Sequence, residues 1–311
     1  MNPPLVAVSR KLWIPGGRGM LGSTLARRAA DAGFDVLATG HDVDAADADA
    51  VAAFVALHRP THVINCAAWT AVDLAETERA AAHRANARLP GVLGAAAATF
   101  GARVVHVSTD YVFDGRVPSP ERALREDDPT APASVYGTTK RDGERALLDA
   151  TGGRGLVVRT SWLYGPGGKN FVTTMLKLMA ERDELKVVAD QRGRPTSTTT
   201  LADALLRLLD VDAGGIVHVA DDAGPRGISW HDFAVAIRAG ALARGLPVKA
   251  HTIHAIPTSA YPTPAVRPAW SVLDTGRYTQ LTGTSLPSWD QTLGRYLDQI
   301  VASTTGPAAG R

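Results

Sequence analysis

The chain has 311 residues, 45% hydrophobic and 21% charged, the balance of a globular protein with room for one large or two smaller domains. A formal net charge of +2 without a Lys/Arg block argues against a nucleic-acid surface, and no run reaches the ~18 apolar residues of a membrane span. The single cysteine, Cys66, excludes an internal disulfide, and nine scattered histidines without a His-Glu-x-x-His or Cys/His cluster give no metal site. With no apolar leader and cleavage site at the N-terminus, the expected location is the cytoplasm.

Residues 11–14 form a short apolar strand, followed by Gly16-x-x-Gly19-x-x-Gly22 and a helix to about residue 32. Glycines at that spacing suit a tight turn, close approach of backbone N–H groups to a pyrophosphate, and helix–strand packing, in that order. Further strands are expected at 34–38, 61–67, 103–108 and 156–159, with helices at 51–57, 75–88, 89–100 and 136–149. Short apolar runs alternating with helices predict a doubly wound parallel α/β sheet, with ligands beyond the carboxyl ends of its strands. The polar residues after each run fall there: 16–22, 39–42, 67–69, 108–110 and 160–162. The second run ends Thr39-Gly40-His41, without the acid that grips an adenosine ribose. That absence, with Arg18 in the glycine turn and His41 nearby, favours NADPH over NADH.

The most reactive grouping lies in the middle of the chain. If Tyr136 opens a helix, Lys140 lies one turn on and on the same face. An ammonium beside a phenol lowers its pKa from ~10 toward the working range, and Thr109 supplies a second hydroxyl to the same substrate oxygen. That is equipment for moving a proton on and off an alcohol or carbonyl while a hydride moves elsewhere.

After residue 165 the pattern changes to helices at 170–182, within 196–210, at 229–245 and at 286–300, with strands at 185–188 and 215–220. Ser229 is an expected helix cap. Residues 255–274, with four prolines between Pro257 and Pro268, are expected as an ordered extended loop. His251 and His254 belong on a solvated strand or loop, and Trp13, Trp230, Trp270 and Trp289 in packing. The expected division is 1–165 with about 190–222 as a dinucleotide-binding domain, and about 166–189 with 223–300 as a smaller α/β substrate domain. Residues 301–311 would be a flexible tail.

In order along the chain, the glycine turn, Asn65-Cys-Ala-Ala-Trp-Thr-Ala-Val-Asp-Leu-Ala-Glu76, Ser108-Thr-Asp-Tyr-Val-Phe-Asp-Gly115 and Tyr136-x-x-x-Lys140 resemble the extended short-chain dehydrogenases/reductases. Arg159-Thr-Ser-Trp-Leu-Tyr-Gly165, Asp190-Gln-Arg-Gly-Arg-Pro-Thr196 and Ala260–Ala265 with Arg267-Pro268 narrow the resemblance to the dTDP-4-dehydrorhamnose reductase family. It covers about residues 11–297.

The resemblance implies a Rossmann fold, and reduction by NADPH or NADH of the C4 keto group of a dTDP-4-keto-6-deoxy sugar by a monomer or homodimer. It implies Tyr136 as general acid, Lys140 as its pKa-lowering partner and nicotinamide-ribose contact, and Thr109 as the hydroxyl that tunes them. Asp110 and Trp162 match sugar-nucleotide contacts. Met20, Leu21, Asp42, Val43, Ala67, Ala68 and Trp69 match dinucleotide contacts, beside Gly16, Arg18, Gly19 and Gly22. A related antibiotic-sugar 4-ketoreductase or a dihydrostreptose-type synthase would share these motifs. An epimerase or dehydratase of the same superfamily, or a non-catalytic regulatory subunit, are the more distant alternatives.

Overall fold

Strands that are apolar throughout must be buried on both faces, so the first-half runs pair as the middle layer of the protein. The computed structural model describes residues 10–119 and 121–305. In chain order its elements are β1 (Lys11–Pro15), α1 (Met20–Asp31), β2 (Asp35–Thr39), α2 (Ala48–His58), β3 (His62–Asn65), α3 (Arg79–His83), α4 (Leu89–Phe100), β4 (Arg103–Thr109), α5 (Val135–Ala150) and β5 (Leu156–Thr160). There follow β6 (Leu163–Tyr164), α6 (Phe171–Glu181), β7 (Glu184–Val188), β8 (Arg192–Gly193), β9 (Thr196–Ser197), α7 (Thr198–Leu209), β10 (Gly215–His218), β11 (Ile228–Ser229), α8 (Trp230–Leu242), β12 (Thr252–Ile256), α9 (Gly276–Thr282) and α10 (Trp289–Thr305).

Six strands form one parallel sheet in the order β2-β1-β3-β4-β5-β10. The order reverses between β1 and β3, which makes the crevice at their carboxyl ends the switch point of a doubly wound sheet. Leu25 of α1 and Leu201 and Leu205 of α7 pack with Ile14, Val105 and Val158 on one face. On the other, Val51, Leu93 and Leu147 of α2, α4 and α5 pack with Trp13, Val63 and Val104. A separate core of Met179, Phe233, Ile237 and Leu297 joins α6, α8 and α10 over the small parallel pair β7–β12. Ser229 caps α8 through Asp232 N, as expected, in a reciprocal capping box.

Three details depart from the expectations. The helices at 75–88 and 89–100 are not two plain α-helices: a 3-10 turn (Leu74–Glu76) precedes α3, and a π turn (Arg84–Arg88) runs directly into α4. Pro90 has no N–H to give the carbonyl of Asn86, so the ladder opens there. The prolonged last helix carries α10 through Thr305, so the first part of the expected tail is helical; residues 306–311 lie outside the described residues. Tyr278 of α9, with Leu281 and Leu286, packs on the sheet core rather than on the α6–α8–α10 core. His254 sits, as expected, on a solvated strand, β12, beside Glu184.

Candidate active site

The glycine turn leaves β1 at the switch point. Gly16 has φ +74°, and a Cβ on it would lie 2.5 Å from Ala67 N, so only glycine fits between β1 and the end of β3. A Cβ on Gly22 would lie 2.1 Å from the Gly16 carbonyl, which ties the start of α1 to the turn. Gly19 caps α1 without a side chain, and the first turn holds no acid. Its backbone N–H groups are therefore left for an anion, and the residues fit the pyrophosphate of a dinucleotide. Met20 is half-buried beneath the 165–170 loop, its Sδ 3.8 Å from Asn170 Nδ2. Leu21 is buried in the sheet core, so only its backbone can meet a ligand.

At the end of β2, Asp42 accepts from Gly40 N at 2.7 Å and pairs with Arg18 at 3.2 Å. The Gly40 N–H, ahead of Arg18, holds the Asp42 carboxyl below its usual range. Arg18 is thus an exposed cation lying along this edge, already paired. Val43 packs beside the Trp13 core, as does Ala67. Ala68 is half-buried after β3. Trp69 is fixed through its backbone: Asn86 Oδ1 accepts from Trp69 N at 2.8 Å and Asn86 Nδ2 donates to Trp69 O at 3.1 Å. The π turn places Asn86 for both.

Beyond β4 comes a second cluster. Thr109 accepts from Tyr111 N at 3.2 Å and donates to Asp110 Oδ1 at 3.0 Å. Asp110 is 2% exposed and its Oδ2 has no partner; burial pushes its carboxyl up to about 6, against hydrogen bonds from Ser271 and Thr109. Ser134 caps α5 through Gly137 N at 3.1 Å, which sets Tyr136, Lys140 and Glu144 on successive turns of one face. Gly137 packs so close to the Tyr111 carbonyl that a Cβ would come within 2.2 Å, and this seats α5 on the Asp110 turn.

Tyr136 is in contact with Thr109, and burial pushes its phenol up to about 12, against the Thr109 hydrogen bond. The sequence predicts the opposite direction, a phenol lowered by Lys140. Burial outweighs any such effect, because Lys140 points elsewhere: its Nζ donates to Val107 O at 2.7 Å and lies 3.2 Å from His106 Nε2. Burial also lowers Lys140, to about 8, while Glu144 and Cys66 act upward. Glu144 is held by Arg159 through two contacts of 2.9 and 2.8 Å.

Trp162, two residues past β5, has φ +49°, a strained value for a non-glycine residue. Its ring lies flat on Trp230, centroids 3.5 Å apart at 8°, and over Gly193 of β8, where a Cβ would come within 2.5 Å. Arg192, next to Gly193, accepts through its carbonyl from Ser271 N at 2.8 Å, and Ser271 reaches Asp110. Thr109, Asp110, Tyr136 and Trp162 therefore belong to one neighbourhood. The glycine turn joins it through β3 and Ala67.

Sequence reasoning left Asn65, His106, Asn86, Ser271 and Gly193 without a role and gave Trp230 only packing. For Asn65 and His106 a signal existed: each is a polar residue inside an apolar strand of a sheet covered on both faces. Nothing local marks Asn86 or Ser271. Among the described residues no group of three or more His, Cys, Asp or Glu could hold a metal ion, and no helix is long and apolar enough to cross a membrane.

An open parallel sheet with an uncapped glycine turn at its switch point, and a half-buried Tyr136 one turn from a buried Lys140 beside the end of β4, defines a Rossmann-type α/β protein. Residues 10–302 match the sequence model of the RmlD substrate binding domain, and the chain belongs to that family. It is 42% identical over 295 residues to a dTDP-4-dehydrorhamnose reductase of Burkholderia thailandensis, covering 91% of this chain and 97% of that protein. It is also 42% identical to a probable dTDP-4,6-dihydroxy-2-methyloxan-3-one 4-ketoreductase of Streptomyces antibioticus, covering 94% and 97%. The crystal structure of dTDP-4-dehydrorhamnose reductase from Bacillus anthracis in complex with NADP is similar with a TM-score of 0.86 at 33% identity, covering 94% of this chain and 100% of that one.

Proposed function

We propose that this protein is an NADPH-dependent oxidoreductase that reduces the C4 keto group of dTDP-4-dehydro-L-rhamnose to give dTDP-L-rhamnose. One observation carries the reading: the buried Thr109 meets the half-buried Tyr136 at a strand end of a chain that matches named reductases over nearly its whole length. The glycine turn (Gly16, Arg18, Gly19, Met20, Leu21 and Gly22), with Asp42, Val43 and Ala67–Trp69, holds the dinucleotide, which supplies the hydride when bound. Thr39 rather than an acid ends β2, and Arg18 lies against Gly40, an edge better suited to the 2′-phosphate of NADPH than to NADH.

Tyr136 gives its proton to the alkoxide that develops at C4. Its phenol begins well above neutrality, so it is fully protonated and ready to donate. Thr109 turns its one hydroxyl proton from Asp110 Oδ1 to the same oxygen, a donor that tightens as charge develops. Lys140 swings its ammonium toward the nicotinamide ribose and Tyr136 once these are in place, and so stabilises the phenolate left behind. Asp110 and Trp162 orient the sugar nucleotide; the strained Trp162 backbone, braced by Trp230, presents a flat apolar face to it. In this reading residues 1–165 and about 190–222 serve the dinucleotide, and 166–189 with most of 223–300 serve the sugar nucleotide.

The 42% identity to the 4-ketoreductase favours a second substrate reading, another dTDP-4-keto-deoxysugar reduced by the same steps. Incubation with NADPH deuterated at the transferable position tests both. One deuterium at C4 of dTDP-L-rhamnose is the expected result. Transfer only to the other keto-sugar supports the second reading, and no net transfer to either contradicts a reductase.

A further inference from the structure

Asn65 of β3 and His106 of β4 are buried, polar and neighbouring on the sheet, and they end on Lys140. Asn65 Oδ1 accepts from Ala67 N at 3.0 Å, which fixes which end of the amide is which. Its Nδ2 therefore faces His106 Nδ1, at 2.9 Å. An amide NH₂ can only donate, so Nδ1 must accept, and the one proton of the neutral ring sits on Nε2. Burial, with Lys140 second, holds His106 well below its usual range, so the ring is neutral at working pH. The Nε2–H then points at Lys140 Nζ, 3.2 Å away. An ammonium has no lone pair to receive it; a neutral amine has one. The chain of donors, Ala67 N–H to Asn65 to His106 to Lys140, is complete only when Lys140 has given up a proton.

We infer that His106, locked as its Nε2–H tautomer by Asn65, is a positioning residue that acts through Lys140, holding Nζ beside Val107 O and biasing it toward the neutral amine. The inference rests on the assignment of Lys140 to the reaction above. The other groups that bear on Nζ do not account for such a bias. Glu144 on α5 and Cys66 after β3 both favour the ammonium. Glu144 is moreover spent on Arg159.

In turnover, Lys140 as ammonium supports the Tyr136 phenolate. It then gives up one proton toward the phenolate oxygen, becoming the amine that accepts from His106 Nε2–H. Solvent later returns the proton to Nζ. His106 lowers the cost of the first transfer and keeps Nζ from settling as a permanent cation.

The test uses the purified chain, labelled with ¹⁵N in histidine and lysine and without substrate or cofactor, so that its outcome is independent of the assigned reaction. Resonances are assigned by their loss in His106→Gln and Lys140→Met. The expected His106 spectrum shows a protonated Nε2 and a bare Nδ1 across neutral pH; a protonated Nδ1 would overturn the inference without any variant having to fold. Lys140 should titrate near about 8 in the wild type. In His106→Gln it should titrate at least about one pH unit higher, because the glutamine oxygen can accept from the ammonium. An unmoved Lys140 in a folded His106→Gln overturns it as well. In a separate turnover measurement, the alkaline limb of the pH profile should move up with the lysine. A uniform loss of rate with the limb in place would mean that His106 is only structural. Absence of turnover in the wild type, with the tautomer and the shift as expected, would instead count against the proposed reaction.

Discussion

Asp110 is the residue at which stability and activity pull apart. Its carboxyl is buried, half-satisfied and raised from 3.8 to about 6, so the folded state binds a proton more tightly than the unfolded chain. Stability contributed by that proton is present at low pH and falls as pH rises from about 4 through about 6; above that window burying the charge costs about 1–3 kcal/mol. Asp110→Asn should therefore be more stable than the wild type in urea near neutral pH and should lose part of the slope between pH 4 and 6. Its activity should drop about tenfold or more, since in the proposed function this carboxylate orients the sugar nucleotide. Lower stability of the variant at neutral pH would contradict this reading. At this scale the motif residues Thr109, Asp110, Tyr136 and Lys140 were legible in the sequence because they sit next to one another on one turn or one helix face. Asn65 and His106 stand out as polar residues in apolar strands, but their pairing was not legible, because it depends on which strands are neighbours.

At the scale of elements, α5 carries the site and is held by close backbone contacts rather than by large side chains. The open carbonyl of Asn86, left by Pro90, lies over Gly143, where a Cβ would fall 1.9 Å from it. Gly143→Ala must push α5 away from the π turn, and Thr139 away from the Asn86 side chain that also bonds Trp69. A loss of about 1–3 kcal/mol in urea unfolding is expected, with weaker cofactor binding. Unchanged stability would mean that the turn yields freely. The parallel strands were readable because a strand buried on both faces must be apolar throughout. The π turn was not, since the apolar spacing runs through it unbroken and Pro90 also suits a helix start. Two-residue strands such as β8 are too short to show any period, yet β8 is what Trp162 lies on.

Across the whole molecule, the loop after β3 is clasped to the proline-rich loop near the far end of the chain. Arg267 holds Asp73 through contacts of 3.1 and 2.8 Å, and Ala265 N donates to the same carboxylate at 3.2 Å. The hydrogen bond from Arg267 lowers the Asp73 carboxyl, so the clasp is intact above the ordinary carboxylate range and loosens as pH falls through the lowered value. Its groups are partly exposed, so the effect on global stability is small. Asp73→Asn should instead raise the KM for the sugar nucleotide about fivefold, leave that for the cofactor nearly unchanged, and speed hydrogen exchange in residues 263–268. Equal changes in both KM values would contradict a role on the sugar-nucleotide side. The sequence foretold an ordered loop there from its prolines. What it lies against was not legible, because the partners are nearly two hundred residues apart in the chain.

The central claim is that Tyr136 delivers the proton while reduced cofactor delivers the hydride. The measurement that tests it most directly is the initial rate of NADPH oxidation with dTDP-4-dehydro-L-rhamnose, for the wild type beside Tyr136→Phe. Steady oxidation by the wild type and a fall of about 10²–10⁴-fold in the variant, with cofactor binding retained, is the predicted result. A variant that turns over as fast as the wild type would contradict it.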